Sequence, residues 1–497
     1  MTTAAVIGSG FGGLALAIRL QSAGIQTTLV EARDKPGGRA YVFEDDGFIF
    51  DAGPTVITDP TCLEELFELS GRKLSDYVEL MPVMPFYRLM WEDGTVFDYS
   101  NDEKELLRQI GDLNVKDVAG YQEFLKLTDN VFREGYEKLG HEAFLDFKSM
   151  LNAAPQLMRY EAFRSVYSMV SRHIEDERLR QAFSFHTLLV GGNPFRTSSV
   201  YALIHALEKK WGVWFPRGGT GSLVRGMVKL FEDIGGTVRM GSKVEVIMAD
   251  SGRVTGVRCA NGWSGRFDAV CSNGDVVNTY QQLLGGHPRG TEMAAKMKRR
   301  SFSPSLFVLY FGLKGVRTDV VHHTILFGHR YKELFSEIYK GGELPEDFSL
   351  YLHHPTMTDP SLAPEGHGAY YVLSPVPHLG KLDIDWEKEA PRYADSILDA
   401  LERRVLPNLK RDLVTLRTWT PKDFETELFA HQGSAFSLEP VLWQSAYFRT
   451  HNRDDVLSNL YFVGAGTHPG AGIPGVVGSA KATGKLMVED LLGKKAA

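Results

Sequence analysis

The sequence predicts an α/β protein in which both ends of the chain build one parallel sheet, while the middle of the chain inserts a second domain with a mixed sheet and a helical cap. Three observations support this prediction. An apolar strand, a glycine-rich turn and a helix follow one another at 4–24, and the same succession recurs at 459–492. Between them, 115–210 is rich in Leu, Met, Phe and Tyr in a helical pattern with few breakers. A chain of 497 residues also exceeds what one hydrophobic core usually organises.

The first elements form a strand–helix–strand unit. An apolar strand at 4–7 precedes a helix whose apolar residues recur at helical spacing and which ends near Gly24. A second strand follows at 26–32. Such a unit is parallel with a right-handed crossover, so this opening predicts the first two strands of the parallel sheet.

The second domain begins with a predicted hairpin. Residues 86–100, "FYRLMWEDGTVFDYS", alternate around Asp93-Gly94, a dipeptide suited to a type I′ turn. This pattern is typical of two antiparallel strands outside a parallel sheet. The helical stretch 115–210 then forms the predicted cap.

The chain returns to the first domain at 216–263. This segment predicts a loop, an amphipathic helix at 223–234, and strands broken at two turn dipeptides, Ser251-Gly252 and Asn261-Gly262. Segment 300–430 contains the strand-like runs "SLFVLYFGL" and "AYYVLSPVP" and a helix at 394–405, which complete the second domain.

These elements divide the chain into two interleaved domains. The first comprises 1–80, 214–285 and 435–497, and the second comprises 81–213 and 286–434, with 115–210 as its cap.

Composition narrows the class of partner. Acidic residues exceed basic ones, with a net charge of -7, which argues against nucleic acid as a partner. The three cysteines, Cys62, Cys259 and Cys271, have no metal-binding spacing and fit a reducing, cytoplasmic compartment. Apolar runs fall short of the roughly 18 residues that cross a bilayer, so any membrane contact is expected to be peripheral.

The glycine-rich turn carries a dinucleotide-binding pattern. In "GSGFGG" the spacing G-x-G-x-x-G is met by Gly8, Gly10 and Gly13. These glycines permit a tight turn, close approach to a pyrophosphate and close helix–strand packing. Glu31 ends the next strand, where its carboxylate accepts ribose hydroxyls and repels the 2′-phosphate of NADP. The pattern leaves FAD and NAD open, and a ligand-free glycine turn is the alternative.

The next stretch, "ARDKPGGRA" at 32–40, resembles the extension that flavoproteins of the amine-oxidase type place after their first strand–helix–strand unit. This resemblance favours FAD. It implies that Gly37 and Gly38 let the loop approach the cofactor, while Arg39 offers a charged group near the pyrophosphate or flavin. A surface arginine in an ordinary loop is the alternative for Arg39.

A second glycine loop lies near the other end of the chain, in "VGAGTHPGAGIPGVVGSA" at 463–480. Because a strand precedes it and a helix follows, backbone N–H groups of 473–476 are predicted to face an acceptor oxygen of a flavin ring. A flexible terminal loop is the alternative. The further residues predicted to bind the cofactor are Gly466, Thr467, Ile473, Pro474, Gly475 and Val476 of this loop. Val244, from the middle of the chain, is predicted to bind it as well.

Five internal stretches resemble the bacterial-type phytoene desaturases of carotenoid synthesis, within the FAD-dependent amine-oxidase superfamily. The similarity runs over essentially the whole chain. The stretches are "AFSFHTLLVGGNPF" (182–195), "KWGVWFPRGGTGSL" (210–223), "YYVLSPVPHLG" (370–380), "GSAFSLEPVL" (433–442) and "AGTHPGAGIPGVVGSAKAT" (465–483).

The resemblance implies a Rossmann-like FAD-binding domain, an inserted mixed-sheet substrate domain and a helical membrane-facing cap. It implies a dissociable, non-covalent FAD, although His468 offers a side chain for covalent attachment. The implied activity is stepwise desaturation of phytoene through carotene intermediates, with lycopene as the end product and a quinone or oxygen as electron acceptor. There are two alternatives. One is a carotene isomerase or another polyene oxidase, and the other is a non-redox prenyl-lipid escort protein.

We nominate no catalytic side chain and no metal ligand. The flavin performs such redox chemistry, and the protein positions and shields it. The pairs His322-His323 and His353-His354 are expected to be surface or structural, because adjacent side chains in a strand point to opposite faces. Residues 151–173 combine apolar residues with Arg159, Arg164, Arg172 and Glu161, as a helix lying on an anionic membrane surface does. An ordinary amphipathic cap helix is the alternative.

Overall fold

The computed structural model describes residues 1–493, without the side chains of residues 147, 149, 152 and 153. The last residues of the predicted segment 435–497, at 494–497, therefore lie outside the described residues. In chain order the strands are β1 (Thr3–Ile7), β2 (Gln26–Val30), β3 (Val42–Asp45), β4 (Phe48–Asp51), β5 (Leu80–Pro82), β6 (Tyr87–Met90), β7 (Val96–Tyr99), β8 (Trp214–Pro216), β9 (Thr237–Arg239), β10 (Val244–Asp250), β11 (Arg253–Cys259), β12 (Ser264–Arg266), β13 (Ala269–Ser272), β14 (Ser305–Lys314), β15 (His323–Leu326), β16 (Leu350–His353), β17 (His367–Val376), β18 (Leu413–Trp419) and β19 (Leu460–Phe462).

The helices alternate with these strands and concentrate between β7 and β8. They are α1 (Phe11–Ser22), α2 (Thr61–Glu68), α3 (Glu103–Leu113), α4 (Asp117–Phe132), α5 (Phe147–Arg159), α6 (Val166–Val170), α7 (Glu177–Ala182), α8 (Leu203–Trp211), α9 (Thr220–Asp233), α10 (Val276–Asn278), α11 (Pro288–Met297), α12 (Tyr331–Lys340), α13 (Trp386–Arg404), α14 (Leu409–Asp412), α15 (Pro421–Leu428) and α16 (Ile473–Leu492).

A five-stranded parallel sheet joins the two ends of the chain. Its order is β19-β13-β1-β2-β9. Side chains of β1 alternate between its faces: Ala4 and Val6 pack in a cluster with α1, α9 and α16, whereas Ala5 and Ile7 pack with β10 and β11. Burial on both faces explains why residues 4–7 of β1 are all apolar. Since the strands are parallel, the loops after β1, β2, β13 and β19 meet at one edge.

A seven-stranded mixed sheet forms the second layer, in the order β18-β14-β17-β16-β15-β6-β7, with only β15 and β6 parallel among its described pairs. Val308 and Tyr310 of β14 belong to the large cluster on one face, and Phe307 and Leu309 pack with α13 on the other. The predicted α/β class with a mixed sheet is confirmed.

The strands of the two large sheets fall in different predicted segments. Strands of the parallel sheet lie within 1–80, 214–285 and 435–497, and strands of the mixed sheet within 81–213 and 286–434. The division into domains itself stays a prediction. Helices α4–α8 occupy the predicted cap region.

Several local predictions are confirmed and two are wrong in detail. The hairpin forms, with Tyr87 opposite Tyr99, but among Asp93 and Gly94 only Gly94 has positive φ, so the turn is not type I′. The helix predicted over 151–173 is interrupted, because α5 ends at Arg159 and Glu161 adopts a φ of 53°. Among the described residues, none of the helices has the length and apolar character needed to cross a bilayer.

Candidate functional site

A cavity of about 940 Å³ runs from the edge of the parallel sheet to the inner face of the mixed sheet. Its polar end is lined by the loop after β1, the end of β2, the loop after β13 and the start of α16. Its apolar end is lined by strands β14, β16 and β17 and by helices of the cap region. The two ends are continuous, so one ligand-binding space connects the two sheets.

The glycine loop after β1 forms the floor of the polar end. Gly8 has a φ of 94°, and its N–H donates to the Val30 carbonyl at 2.8 Å, which ties the loop to β2. Gly13 faces away from the cavity, where a Cβ would lie 2.0 Å from the Gly8 carbonyl oxygen. Gly10 precedes α1, whose first turn has no side-chain cap and points its N–H groups at the cavity.

Asn273, in the loop after β13, explains why this floor needs glycine. A Cβ on Gly10 would lie 3.1 Å from Asn273 Nδ2, and a Cβ on Gly12 would lie 2.7 Å from Asn273 Oδ1. Asn273 also donates to the Gly8 carbonyl at 3.4 Å. The sequence reasoning missed this residue, although a polar side chain directly after the apolar strand "AVCS" at the carboxyl edge of a parallel sheet was an available signal.

Glu31 lines the cavity at the end of β2, as predicted for a ribose-binding carboxylate. It is buried, and its Oε2 accepts from the Ser9 N–H at 2.8 Å and from Ser9 Oγ at 2.6 Å. Its Oε1 accepts from the Arg33 N–H at 2.9 Å. The carboxylate therefore holds the glycine loop in place while it faces the ligand space.

Arg39 lines the cavity beside Gly38. Its guanidinium donates to the Ser434 carbonyl at 3.4 Å, and within the described residues its shielded Nε has no hydrogen-bond partner. Burial lowers the pKa of Arg39, and the carboxylate of Asp275 opposes this effect. Asp275, after Asn273, also lines the cavity and was missed by the sequence reasoning. A guanidinium at the wall of a cavity is suited to an anionic ligand.

The C-terminal glycine loop closes the polar end from the other side. Residues 473–476 begin α16 and line the cavity, and Gly472 precedes this helix with a φ of 93° and no side-chain cap. The start of α16 thus presents backbone N–H groups to the same space as the start of α1.

Two predicted residues of this loop lie behind the cavity wall. Thr467 is completely buried and its hydroxyl contacts Ser479 Oγ at 2.6 Å. A Cβ on Gly466 would lie 2.8 Å from a methyl carbon of Val276. Neither belongs to the lining, whereas Val244 of β10 does. Their assignment to cofactor binding stays a prediction.

His468 also lines the cavity. Its Nε2 contacts the Leu139 carbonyl at 2.9 Å, and within the described part of the chain its Nδ1 has no partner. Burial lowers the pKa of His468 to about 4, so the imidazole is neutral at pH 7.

The apolar end is built across strands. Val308 of β14, Leu373 of β17 and Tyr351 of β16 are register partners in one row, and all three line the cavity. Hydroxyl groups are paired with one another, since Thr55 Oγ1 contacts Tyr371 Oη at 2.6 Å and Tyr351 Oη at 3.1 Å. Such pairing leaves mainly carbon atoms to face a ligand.

The histidine pairs depart from expectation. His322, His323, His353 and His354 are all buried, so the surface alternative is wrong. His322 precedes β15, and strand alternation therefore does not separate it from His323.

The residues at the polar end fit a flavin dinucleotide. Two uncapped helix starts and the guanidinium of Arg39 are donors suited to phosphate and to ring acceptor oxygens, and Glu31 is an acceptor suited to ribose.

Comparison with known proteins agrees with this geometry. Residues 11–486 match the family of flavin-containing amine oxidoreductases. The chain is 62% identical to a lycopene-forming phytoene desaturase of Pseudescherichia vulneris, covering 99% of this chain and 100% of the relative, and 59% identical to one of Pantoea ananas with the same coverage. A crystal structure of an oxidoreductase from Methanosarcina mazei superimposes with a TM-score of 0.65 at 16% identity, covering 96% of this chain and 99% of that one. This chain belongs to the flavin-containing amine oxidoreductase family.

Proposed function

We propose that this protein is an FAD-dependent phytoene desaturase that introduces double bonds stepwise into phytoene, with lycopene as its end product. The observation that carries the proposal is the continuity of the cavity, which joins a dinucleotide-type polar end to a long apolar end. Two relatives that are 62% and 59% identical over their full length are named lycopene-forming phytoene desaturases, which supports the same assignment here.

The polar end would hold FAD without a covalent bond. The amides at the starts of α1 and α16 would bind the pyrophosphate and the ring oxygens, Glu31 the ribose, and Arg39 the pyrophosphate or flavin. When bound, FAD would be the oxidant: it would accept a hydride from an allylic C–H bond of the substrate, while a proton is lost from the neighbouring carbon.

The apolar end would position the hydrocarbon. Hydride transfer requires reacting atoms about 3–3.5 Å apart, so the alignment that the walls impose matters more than an acid or base. The row Val308–Leu373–Tyr351 supplies a flat wall, and the paired hydroxyls of Thr55 and Tyr371 keep that wall free of exposed donors. We assign no catalytic side chain. The two interleaved domains predicted from the sequence would serve as the FAD-binding unit and the substrate-binding unit.

The substrate would arrive from a membrane, since each CH₂ group costs about 0.8 kcal/mol to transfer into water. Helix α5 supports this route. Met150 and Leu157 line the cavity, while Leu151 and Met158 on the same helix are 56% and 64% exposed. Phe163, just beyond the helix, is 56% exposed as well.

A second apolar segment continues this surface. The turn Ala446–Phe448 contacts α5, Ala446 lines the cavity, and Trp443 and Phe448 are exposed. We propose that this surface, Leu151, Met158, Phe163, Trp443 and Phe448, docks on the cytoplasmic face of an anionic bilayer. The final electron acceptor would be a quinone of that membrane or oxygen.

Product analysis tests the activity. FAD-loaded protein is incubated with phytoene in liposomes, with quinone under anaerobic conditions or with air. We expect absorption to move stepwise to longer wavelength as conjugation grows, ending at lycopene. Unchanged phytoene under both conditions would overturn the proposal. An isomerised carotene without new double bonds would indicate a carotene isomerase, and a colourless, lipid-binding protein would indicate an escort function.

Co-sedimentation with anionic liposomes tests the membrane surface. The variant Met158→Ser combined with Phe163→Ser should reduce the bound fraction severalfold. The control Val414→Ser, at an exposed apolar position on β18, should leave binding unchanged. Equal binding of both variants would contradict the assignment of this surface.

A further inference from the structure

A buried histidine cluster lies in the mixed sheet, outside the lining of the cavity. His323 begins β15 and His353 ends β16, and the two residues are direct register partners. His322 precedes β15, with its ring centroid 4.4 Å from that of His323 and 4.8 Å from that of His353. Three imidazoles, two from antiparallel strands and one from the residue before β15, therefore meet in one buried place.

The nitrogens of this cluster divide into engaged and unengaged atoms. His322 Nδ1 contacts Thr358 Oγ1 at 2.5 Å, and His323 Nδ1 contacts Tyr351 Oη at 2.7 Å. His353 Nδ1 lies 3.4 Å from His323 Nδ1. The Nε2 atoms of His322, His323 and His353 are all shielded from solvent, and none has a hydrogen-bond partner among residues 1–493. Buried polar atoms normally have partners, so three orphaned nitrogens in one cluster call for a ligand.

We propose that His322, His323 and His353 bind one Zn²⁺ ion. One nitrogen from each ring lies within 4.8 Å of those of the other two. Tetrahedral Zn–N bonds of about 2.0–2.1 Å separate ligand nitrogens by about 3.3 Å, which small side-chain rotations reach from this arrangement. A nitrogen-only ligand set suits zinc rather than calcium or magnesium.

The surroundings match those of a metal-binding histidine. Such a residue ordinarily engages its second nitrogen with an oxygen, as His322 does with Thr358 and His323 with Tyr351. The fourth coordination position would be taken by water.

A second buried group, His186, His205 and Glu208, is only partly engaged. Within residues 1–493 both ring nitrogens of His186 and Glu208 Oε2 lack a hydrogen-bond partner, although His186 Nε2 lies 2.9 Å from Glu208 Oε2. His205 uses both ring nitrogens, with Nδ1 2.9 Å from Tyr99 Oη and Nε2 2.8 Å from the Phe183 carbonyl. Glu208 accepts from Tyr87 Oη at 2.7 Å. Metal binding there would break existing hydrogen bonds, so we assign no ion to it.

The ion would have a structural role that the proposed desaturation does not require. It would clamp β15 to β16, and through His323 it would fix Tyr351, whose hydroxyl also reaches Thr55 at the cavity wall. His322, His323 and His353 would thus act as positioning residues for the apolar end.

Metal analysis of the tag-free full-length protein tests the proposal. After growth with added zinc and extensive dialysis, we expect about one Zn²⁺ per chain by plasma mass spectrometry, against about 0.1 or less for His323→Gln and His353→Gln. The matched control is His354→Gln, an equally buried neighbour whose Nδ1 contacts the Val320 carbonyl. This control should keep its zinc.

A spectroscopic measurement on the wild-type protein tests the proposal even if the variants misfold. Wild-type protein depleted of metal and refilled with Co²⁺ should show the visible absorption of a tetrahedral nitrogen site, and competing Zn²⁺ should abolish it. Wild-type protein that retains no zinc and shows no cobalt spectrum would overturn the proposal, whatever its desaturase activity. Zinc retained unchanged in both cluster variants would overturn it as well.

Discussion

The two ends of the cavity are built in opposite ways. At the polar end the chain offers its backbone: the starts of α1 and α16 face the ligand space, and glycines allow the close approach of the strands and loops around Asn273. At the apolar end side chains form the wall, with Val308, Tyr351 and Leu373 from strands far apart in the chain. Where the backbone itself forms the site, an added Cβ has no room. Where side chains form the wall, the cost of a substitution depends on how much it changes the side-chain volume.

The largest effect is expected at Gly13, where the backbone site is tightest. Gly13→Ala would place a Cβ 2.0 Å from the Gly8 carbonyl oxygen. We expect at least about 100-fold weaker flavin binding, equivalent to about 3 kcal/mol, because the loop and α1 must separate. The flavin-to-protein absorbance ratio and circular dichroism of the purified protein measure this effect.

Its control is Gly286→Ala, where a Cβ would have no neighbour within 4 Å. That variant should keep its flavin. A yellow Gly13→Ala protein with the wild-type flavin content would contradict the backbone interpretation of the polar end.

The charged group at the polar end should matter next. Arg39→Ala removes a guanidinium whose Nε lacks a protein partner in the described structure. Hydrogen bonds to charged groups contribute about 1.5–3 kcal/mol, so FAD affinity should fall about 10- to 100-fold in a fluorescence titration. The exposed Arg72→Ala serves as control. If both variants bind FAD equally well, Arg39 lies outside the cofactor site.

At the apolar end, a substitution that enlarges a side chain of the wall should lower the activity. Leu373→Trp would fill space between Val308 and Tyr351 and lower kcat/KM for phytoene about tenfold, since overpacking costs about 1–3 kcal/mol. Flavin content should be unchanged. Leu416→Trp, at an exposed position on β18, should have no effect. Loss of flavin in Leu373→Trp would show that the two ends are not independent.

The smallest effect concerns a carboxyl group behind the apolar wall. Glu208 is buried on α8, whose Ile204 and Leu207 line the cavity. Burial raises the pKa of Glu208 from 4.5 to about 7. The folded protein therefore favours the protonated carboxyl. The contribution of this group to the free energy of unfolding, up to about 3 kcal/mol, is complete below pH 4.5 and is lost as pH rises through about 7.

Glu208→Gln should therefore flatten the pH dependence of stability. Between pH 5 and pH 8 the melting temperature of the wild type should fall a few degrees more than that of the variant. His186 lies 2.9 Å from Glu208 in the wild type, but burial lowers the pKa of His186 to about 3, so His186 stays neutral between pH 5 and pH 8. Glu232→Gln, exposed on α9, is the control and should follow the wild type. Parallel curves for Glu208→Gln and wild type would show that Glu208 is not titrating in this range.

Local pattern predicted much of the fold. The parallel strand pair, α9, β14, β17 and the breaks after β10 and β11 follow from apolar spacing and turn dipeptides, which depend on neighbouring residues. The turn at Asp93-Gly94 and the helix over 151–173 were wrong because backbone conformation at Asp93 and Glu161 depends on surrounding structure as well as residue type. Asn273 was missed because its role lies in contacts with glycines more than 190 positions away in either direction.

The sequence by itself determined the two glycine loops at the polar end of the cavity, since glycine spacing, a strand before each loop and a helix after it specify backbone geometry within a few tens of residues. Only the tertiary structure decided the apolar wall and the grouping of His322 with His353. Those depend on the register of β14, β15, β16 and β17, which sets side chains from separate segments opposite one another. Register is a property of paired strands, and one strand's sequence does not contain its partner.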